Sequence, residues 1–158
     1  MLFRSKSAHE AEELASQILA MTIKGLPVRK VLVDEAADIQ KEIYLGLTND
    51  RAAKKPVMIC SSEGGVEIEE VARTDPGKII REHMDPYMGL RDYQARNMAL
   101  GIGLARDYWK PFGQIAAALH QTYLDTDATL AEINPLVITG DKRLVALDGK
   151  IVLDDNAL

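Results

Sequence analysis

Hydrophobic positions change period several times along the chain, and each change predicts an element. In "SAHEAEELASQILAM", Ala11, Leu14, Ile18 and Met21 recur at helical spacing behind Ser7 and Glu10, a capping-box pattern. Gly25 and Pro27 predict the end of that helix. "RKVLVDEA" is a short β-rich run. In "DIQKEIYLGLTND", Ile39, Ile43, Leu45 and Leu47 mostly alternate with polar residues, as in a strand. "NDRAAKK" predicts a turn and "PVMICSS" a returning strand, so Asp38 to Ser62 reads as an antiparallel hairpin. "SSEGGVEIEEVARTDPGK" holds a glycine pair and then a short acidic helix, and "IIREHM" suits another strand. "RDYQARNMALGIGLA" and "PFGQIAAALHQTYLD" are amphipathic helices that break around Tyr108 to Pro111. The order is helix, three strands, short helix, strand, two helices, two strands. It predicts an α+β fold with antiparallel pairing rather than a βαβ alternation.

The last two strands lie in "LAEINPLVITGDKRLVALDGK", Leu130 to Lys150. A three-residue loop, Gly140 to Lys142, puts Thr139 opposite Arg143, Asn134 opposite Asp148 and Glu132 opposite Lys150. A two-residue loop shifts the register by one and sends Asn134 and Asp148 to opposite faces. Turn chemistry alone leaves both open. In the first register two hard oxygen donors converge. With water and phosphate oxygens they suit Mg²⁺, which keeps few protein ligands. Lys150 is then a point charge for a phosphate oxygen or for Glu132. Pro135 lacks an N–H, so its strand is an edge or bends there. The bland alternative is a surface Glu132–Lys150 pair with Asn134 merely solvated.

Composition narrows the rest. The 158 residues are 47% hydrophobic, enough for one domain with a core or for two small lobes. A net charge of −5 argues against nucleic acid as the partner. Cys60 is the one cysteine, so no internal disulfide forms, and its place in "PVMIC" predicts a buried structural thiol. No stretch is long enough to cross a membrane and no leader pattern opens the chain, which suggests a reducing, aqueous compartment such as the cytoplasm. His9, His83 and His120 stand apart, with no triad spacing. Trp109 and Phe112 read as helix-junction core. The carboxylates of "VDEAADIQKE" could accept from a ribose hydroxyl or an adenine amino group. The glycine pair of "SSEGGVEIEE" could cradle an anion, but four glutamates crowd it, and a helix start is the simpler reading. "MLFRSKS" reads as the end of a strand and "VLDDNAL" follows one directly, so a longer polypeptide is expected.

Together, "VLVDEAADIQKEIYLG", "SSEGGVEIEEVA", "EINPLVI", "ALDGK" and "DDNAL", in this order, resemble the ATP-grasp region of the succinate–CoA ligase (succinyl-CoA synthetase) β subunit. Malate–CoA ligase and the ATP-citrate lyase group are similar. The likeness runs from Leu2 to Leu158. It implies the second lobe of an ATP-grasp fold, residues 1–158, without the family's N-terminal glycine-rich lobe and C-terminal CoA-ligase domain. It implies that Asn134 and Asp148 bind Mg²⁺ with the phosphates of ATP or GTP. Glu132 falls where a phosphohistidine of the partner α subunit approaches, Glu42 at a nucleotide-contacting position, and Ala37 at a backbone contact to adenine. Asp34 stands where the family usually has Glu. The implied reaction passes the γ-phosphate of ATP to that histidine and then to a carboxylate, succinate or else malate or citrate, whose acyl phosphate CoA attacks. The compartment implied is the cytoplasm, or the mitochondrial matrix for a eukaryotic source. Another amide-forming ATP-grasp ligase is the competing expectation, as is a lobe that binds the α subunit without catalysis.

Overall fold

A computed structural model describes residues 5–157, and the strand end expected over Met1–Arg4 lies outside them. The chain divides into two compact units, Met1–Asp38 and Ile39–Leu158.

In the first unit, α1 spans Ala8–Leu19. Ser7 Oγ accepts from the Glu10 N–H at 3.2 Å, as the capping pattern predicts, and Glu10 reaches back to the Lys6 N–H at 2.7 Å. Ala11, Leu14, Ile18 and Met21 are half-buried while their neighbours Glu12, Glu13, Ser16 and Gln17 are exposed. The helix gives way to a small ribbon, β1 (Thr22–Ile23) against β2 (Leu26–Pro27). The run "RKVLVDEA" is not a strand. Among the described residues, 28–38 carry no ladder, and Leu32 and Val33 are exposed. β propensity alone does not make a strand without a neighbour to complete its hydrogen bonds.

In the second unit, β3 (Ile39–Asp50) and β4 (Lys55–Ser61) form the predicted hairpin, with Asp50 opposite Lys55. α2 (Ile68–Thr74) and a 3₁₀ turn at Pro76–Lys78 lead into β5 (Ile79–His83). α3 (Asp92–Gly101) stops short of Ala105, because the Leu104 N–H turns back to the Ala99 carbonyl at 2.9 Å. α4 (Trp109–Asp125) precedes β6 (Ala128–Thr139), β7 (Leu144–Ala146) and β8 (Gly149–Leu153). The sheet order is β5-β4-β3-β6-β7, with β8 also on β6, and every pairing is antiparallel. The α+β expectation holds. Among the described residues no helix is long and apolar enough to cross a membrane.

β3 is the central strand, and its two faces do different work. Ile43, Leu45 and Leu47 join Met98, Phe112 and Leu136 in the core under α3 and α4. Cys60 is buried in that core, donates to the Met98 carbonyl, and burial pushes its thiol up to about 12. Trp109 Nε1 donates to the Leu104 carbonyl at 2.8 Å, a helix-junction role. Glu42, Tyr44 and Gly46 alternate onto the other face of β3. β6 is not an edge: it lies between β3 and β7/β8, and it bends at a bulge where Ile43 and Leu45 pair with Leu136 and Ile133. The bulge falls at Asn134-Pro135, a cis peptide, where proline cannot donate to the ladder.

The β3–β4 turn carries an acid-sensitive staple. Asp50 Oδ1 accepts from Ala52 and Ala53 N–H, and Oδ2 lies 2.8 Å from His83 Nε2. The Ala53 N–H first, and then His83, hold the Asp50 carboxyl below the usual carboxylate range. A depressed folded-state pKa contributes stability above the unfolded value, lost as pH falls through the folded one. Asp50→Ala is therefore expected to lower the thermal midpoint at neutral pH, and the gap from the parent to close below about pH 3. Melting curves across that range check it; a gap that persists in acid contradicts the assignment.

Candidate functional site

The last ribbon adopts the three-residue loop. Glu132 pairs with Lys150, Ile133 with Gly149 and Leu136 with Ala146. The Thr139 N–H donates to the Arg143 carbonyl and Lys142 takes the left-handed position that closes such loops, at φ 63°. Through the gap between β7 and β8, Asn134 N–H donates to the Asp148 carbonyl at 3.1 Å and Leu147 N–H to the Pro135 carbonyl at 3.1 Å. Asn134 therefore stands across from Asp148, in the register that pairs them.

Their surroundings differ. Asp148 is exposed, and its carboxylate makes no hydrogen bond or ion pair among the described residues. Asn134 is half-buried and locked. Its Oδ1 accepts from the Gly65 N–H at 2.8 Å and its Nδ2 donates to the Val66 carbonyl at 2.9 Å. The two bonds fix which way the amide faces. One lone pair of Oδ1 is used and one remains.

The loop that Asn134 holds is the glycine-pair segment. Gly64 presses against β3 so closely that a Cβ there would sit 2.5 Å from Ile43 N and 2.7 Å from Ile43 C. A Cβ on Gly65 would run into the Glu42 carboxylate. The Glu42 carboxylate therefore lies against the loop whose Gly65 N–H Asn134 holds. The segment runs into α2 with Glu69 and Glu70 in its first turn, the helix start expected, and its Gly65 N–H serves Asn134. Glu63, one of its crowding carboxylates, is paired with Lys78 at 3.0 Å, and Ser61 Oγ accepts from the Glu63 N–H.

Beside this lies a second cluster. Glu132 Oε2 accepts from the Tyr44 hydroxyl at 2.8 Å, and Oε1 lies 3.3 Å from Lys150 Nζ. The Glu132 side chain is 14% exposed and Tyr44 2%. Burial, and then the Glu132 carboxylate, push the Tyr44 hydroxyl well above the ordinary tyrosine range, so it remains a donor. Gly46 pairs directly with Glu132 across β3 and β6, and the Tyr44 ring lies over it.

In the second unit, Glu132 and Asn134 lie in the middle of β6 at its bulge, with Asp148 across from Asn134 and Glu42 against the glycine-pair loop. Asp34 and Ala37 belong to the first unit; Asp34 is exposed and its Oδ1 accepts from the Glu35 N–H at 2.8 Å. Among the described residues no three His, Cys, Asp or Glu side chains gather as a metal cage. A pair of hard oxygens, one of them anionic and open, still fits Mg²⁺. Sequence reasoning missed Tyr44 and Gly46. A glycine inside a buried strand, two residues from an aromatic on the same face, was the available signal.

A family model described as an ATP-grasp domain matches residues 3–138. The succinate–CoA ligase [ADP-forming] subunit β of Roseiflexus sp. is 58% identical over 150 residues, 94% of this chain and 40% of that protein. The protein of the same name from Nitratiruptor sp. is 49% identical over 161 residues, 98% of this chain and 41% of that protein. The chain spans about two-fifths of the length of these curated relatives. Among solved structures, ATP citrate lyase from Methanothrix soehngenii, in complex with citrate and coenzyme A, aligns with a TM-score of 0.62 at 24% identity, over 94% of this chain and 33% of that one. An acetyl-coenzyme A synthetase from Ca. Korarchaeum cryptofilum aligns at 0.67 and 15%, over 97% and 69%. Both likenesses concern the fold.

Proposed function

We propose, from the premise that this chain belongs to the ATP-grasp family, that it supplies the second lobe of the nucleotide clamp in an ADP-forming acid–CoA ligase β subunit. The observation that carries the reading is the placement of Asn134 across from Asp148 beside the glycine-pair loop. In this reading the two residues hold the Mg²⁺ of bound ATP. Asp148 offers an anionic oxygen with no competing partner, and Asn134 the unused lone pair of an amide whose direction the loop already sets. When bound, the ion neutralises phosphate charge, the main demand of phosphoryl transfer.

The remaining residues bind and orient. Glu42 contacts the nucleotide from β3. Asp34 takes the adenine or ribose contact and Ala37 a backbone contact to the base. Glu132, pinned by Tyr44 and Lys150, accepts the imidazole N–H of a histidine on a partner α subunit and turns the other ring nitrogen toward the γ-phosphate. That phosphoryl group then passes to a carboxylate, and CoA displaces it to form the thioester. The curated relatives are named for succinate and for ADP formation, which favours succinate as the acid and ATP over GTP.

Calorimetry on a chain extended to the relatives' length tests the reading. ATP binding is expected with Mg²⁺ present and to weaken at least about tenfold, 1.4 kcal/mol, when the metal is chelated. Equal affinity with and without metal contradicts it.

A further inference from the structure

We propose that Tyr44 is a positioning residue for phosphoryl transfer, acting through Glu132. The inference rests on the reading above, in which Glu132 receives the phosphoryl-accepting imidazole. Three features of the second unit support it.

The first is geometric economy. Tyr44 is buried, yet its ring faces away from the core that its neighbours Ile43 and Leu45 enter. A buried tyrosine hydroxyl can be satisfied by any nearby acceptor. Here it is spent on the one carboxylate that the ribbon brings up beside the Asn134–Asp148 pair. The second is the glycine. A Cβ on Gly46 would lie 2.8 Å from ring carbon Cζ of Tyr44 and still closer to the hydroxyl oxygen. Only a bare backbone at that position lets the ring lie across β3 and reach Glu132, the residue directly opposite Gly46. The third is completeness. Tyr44 engages Oε2 and Lys150 engages Oε1, so both oxygens of Glu132 are held from opposite sides. Lys150 is on an exposed edge strand and is mobile by chemistry; Tyr44 is rigid. The tyrosine therefore sets the carboxylate's direction, and a carboxylate free to rotate would lose the imidazole's alignment.

The test uses the full-length subunit with its partner, measuring single-turnover transfer of labelled γ-phosphate to protein. Tyr44→Phe keeps the ring and removes the O–H. It is expected to slow transfer about tenfold, with the KM for Mg-ATP within about twofold of the parent. Gly46→Ala, which keeps the hydroxyl but displaces the ring, is expected to show the same split. In a Glu132→Asp background, whose shorter arm withdraws the carboxylate from the hydroxyl, Tyr44→Phe should cost less than about twofold further. A merely structural tyrosine would cost the same in both backgrounds. The proposal is overturned by a Tyr44→Phe enzyme at parental rate, or by equal losses in the two backgrounds. If Glu132→Asp alone transfers phosphate at the parental rate, the role of Glu132 itself falls, a result distinct from failure of the Tyr44 contact.

Discussion

Asp148→Ala in the full-length subunit is expected to reduce Mg²⁺-dependent phosphoryl transfer by at least about 10²–10³-fold, the scale of losing a pre-set charge partner of a developing phosphate. The residue is exposed, so its removal leaves no cavity and no buried orphan. Its carboxylate makes no hydrogen bond or ion pair among the described residues, and the bond from the Asn134 N–H goes to its backbone carbonyl, which the substitution keeps. The melting temperature should therefore stay within about 2 °C of the parent, as for an isolated surface substitution. The combination is diagnostic: lost transfer with unchanged stability assigns the carboxylate to the ligand rather than to the fold. Asp148→Asn, keeping an oxygen without the charge, should recover part of the rate at raised Mg²⁺. Phosphorylation of Asp148→Ala at the parental rate would remove the residue from the site.

The second large effect belongs to Gly64. A methyl there meets the Ile43 and Glu42 backbone at 2.5–2.8 Å, and β3 is the central strand, hydrogen-bonded on both sides. The strand cannot yield, so the loop must lift. Ordinary carbon contacts need about 3.5–4 Å, so a lift of about 1 Å follows. That breaks both bonds from Asn134 to Gly65 and Val66, now 2.8 and 2.9 Å. Gly64→Ala should destabilise the chain by about 1–3 kcal/mol, lowering the melting temperature by about 2–12 °C. Transfer should fall as well, because the Asn134 amide is then free to turn. Gly65→Ala should be milder. Its φ of +69° is unfavourable for alanine, but the group it meets is the flexible end of Glu42. Differential scanning calorimetry orders the two; a Gly64→Ala chain as stable as the parent contradicts the close approach.

Part of this arrangement was legible in the pattern of the chain, and the reasons differ by residue. Strand alternation narrowed the pairing of Asn134 with Asp148 to a choice between two loop lengths, a local property of the hairpin, and the three-residue loop of the structure decides it. The oxygen chemistry followed from residue type. The Asp38–Ser62 hairpin was legible for the same reason. The extended run around Leu32 was not, because a strand is a property of its neighbour as much as of its own side chains. The glycine pair was ambiguous because its partner, Asn134, is 69 residues away from Gly65 in sequence. Tyr44 was overlooked because its hydroxyl meets Glu132 across a strand pairing that spans 88 residues. The bulge at Pro135 lay between these cases. Proline announced an irregularity, and only the sheet order decided that it is a bend in an inner strand and not an edge.

The position of the divalent ion decides the roles of Asn134 and Asp148. Anomalous diffraction from crystals of the full-length subunit with Mn²⁺ and a non-hydrolysable ATP analogue would locate it. The predicted peak lies about 2.0–2.3 Å from both Asn134 Oδ1 and an Asp148 carboxylate oxygen, with the amide still bound to Gly65 and Val66. A peak coordinated by other protein groups, with Asn134 serving the loop alone, would contradict it.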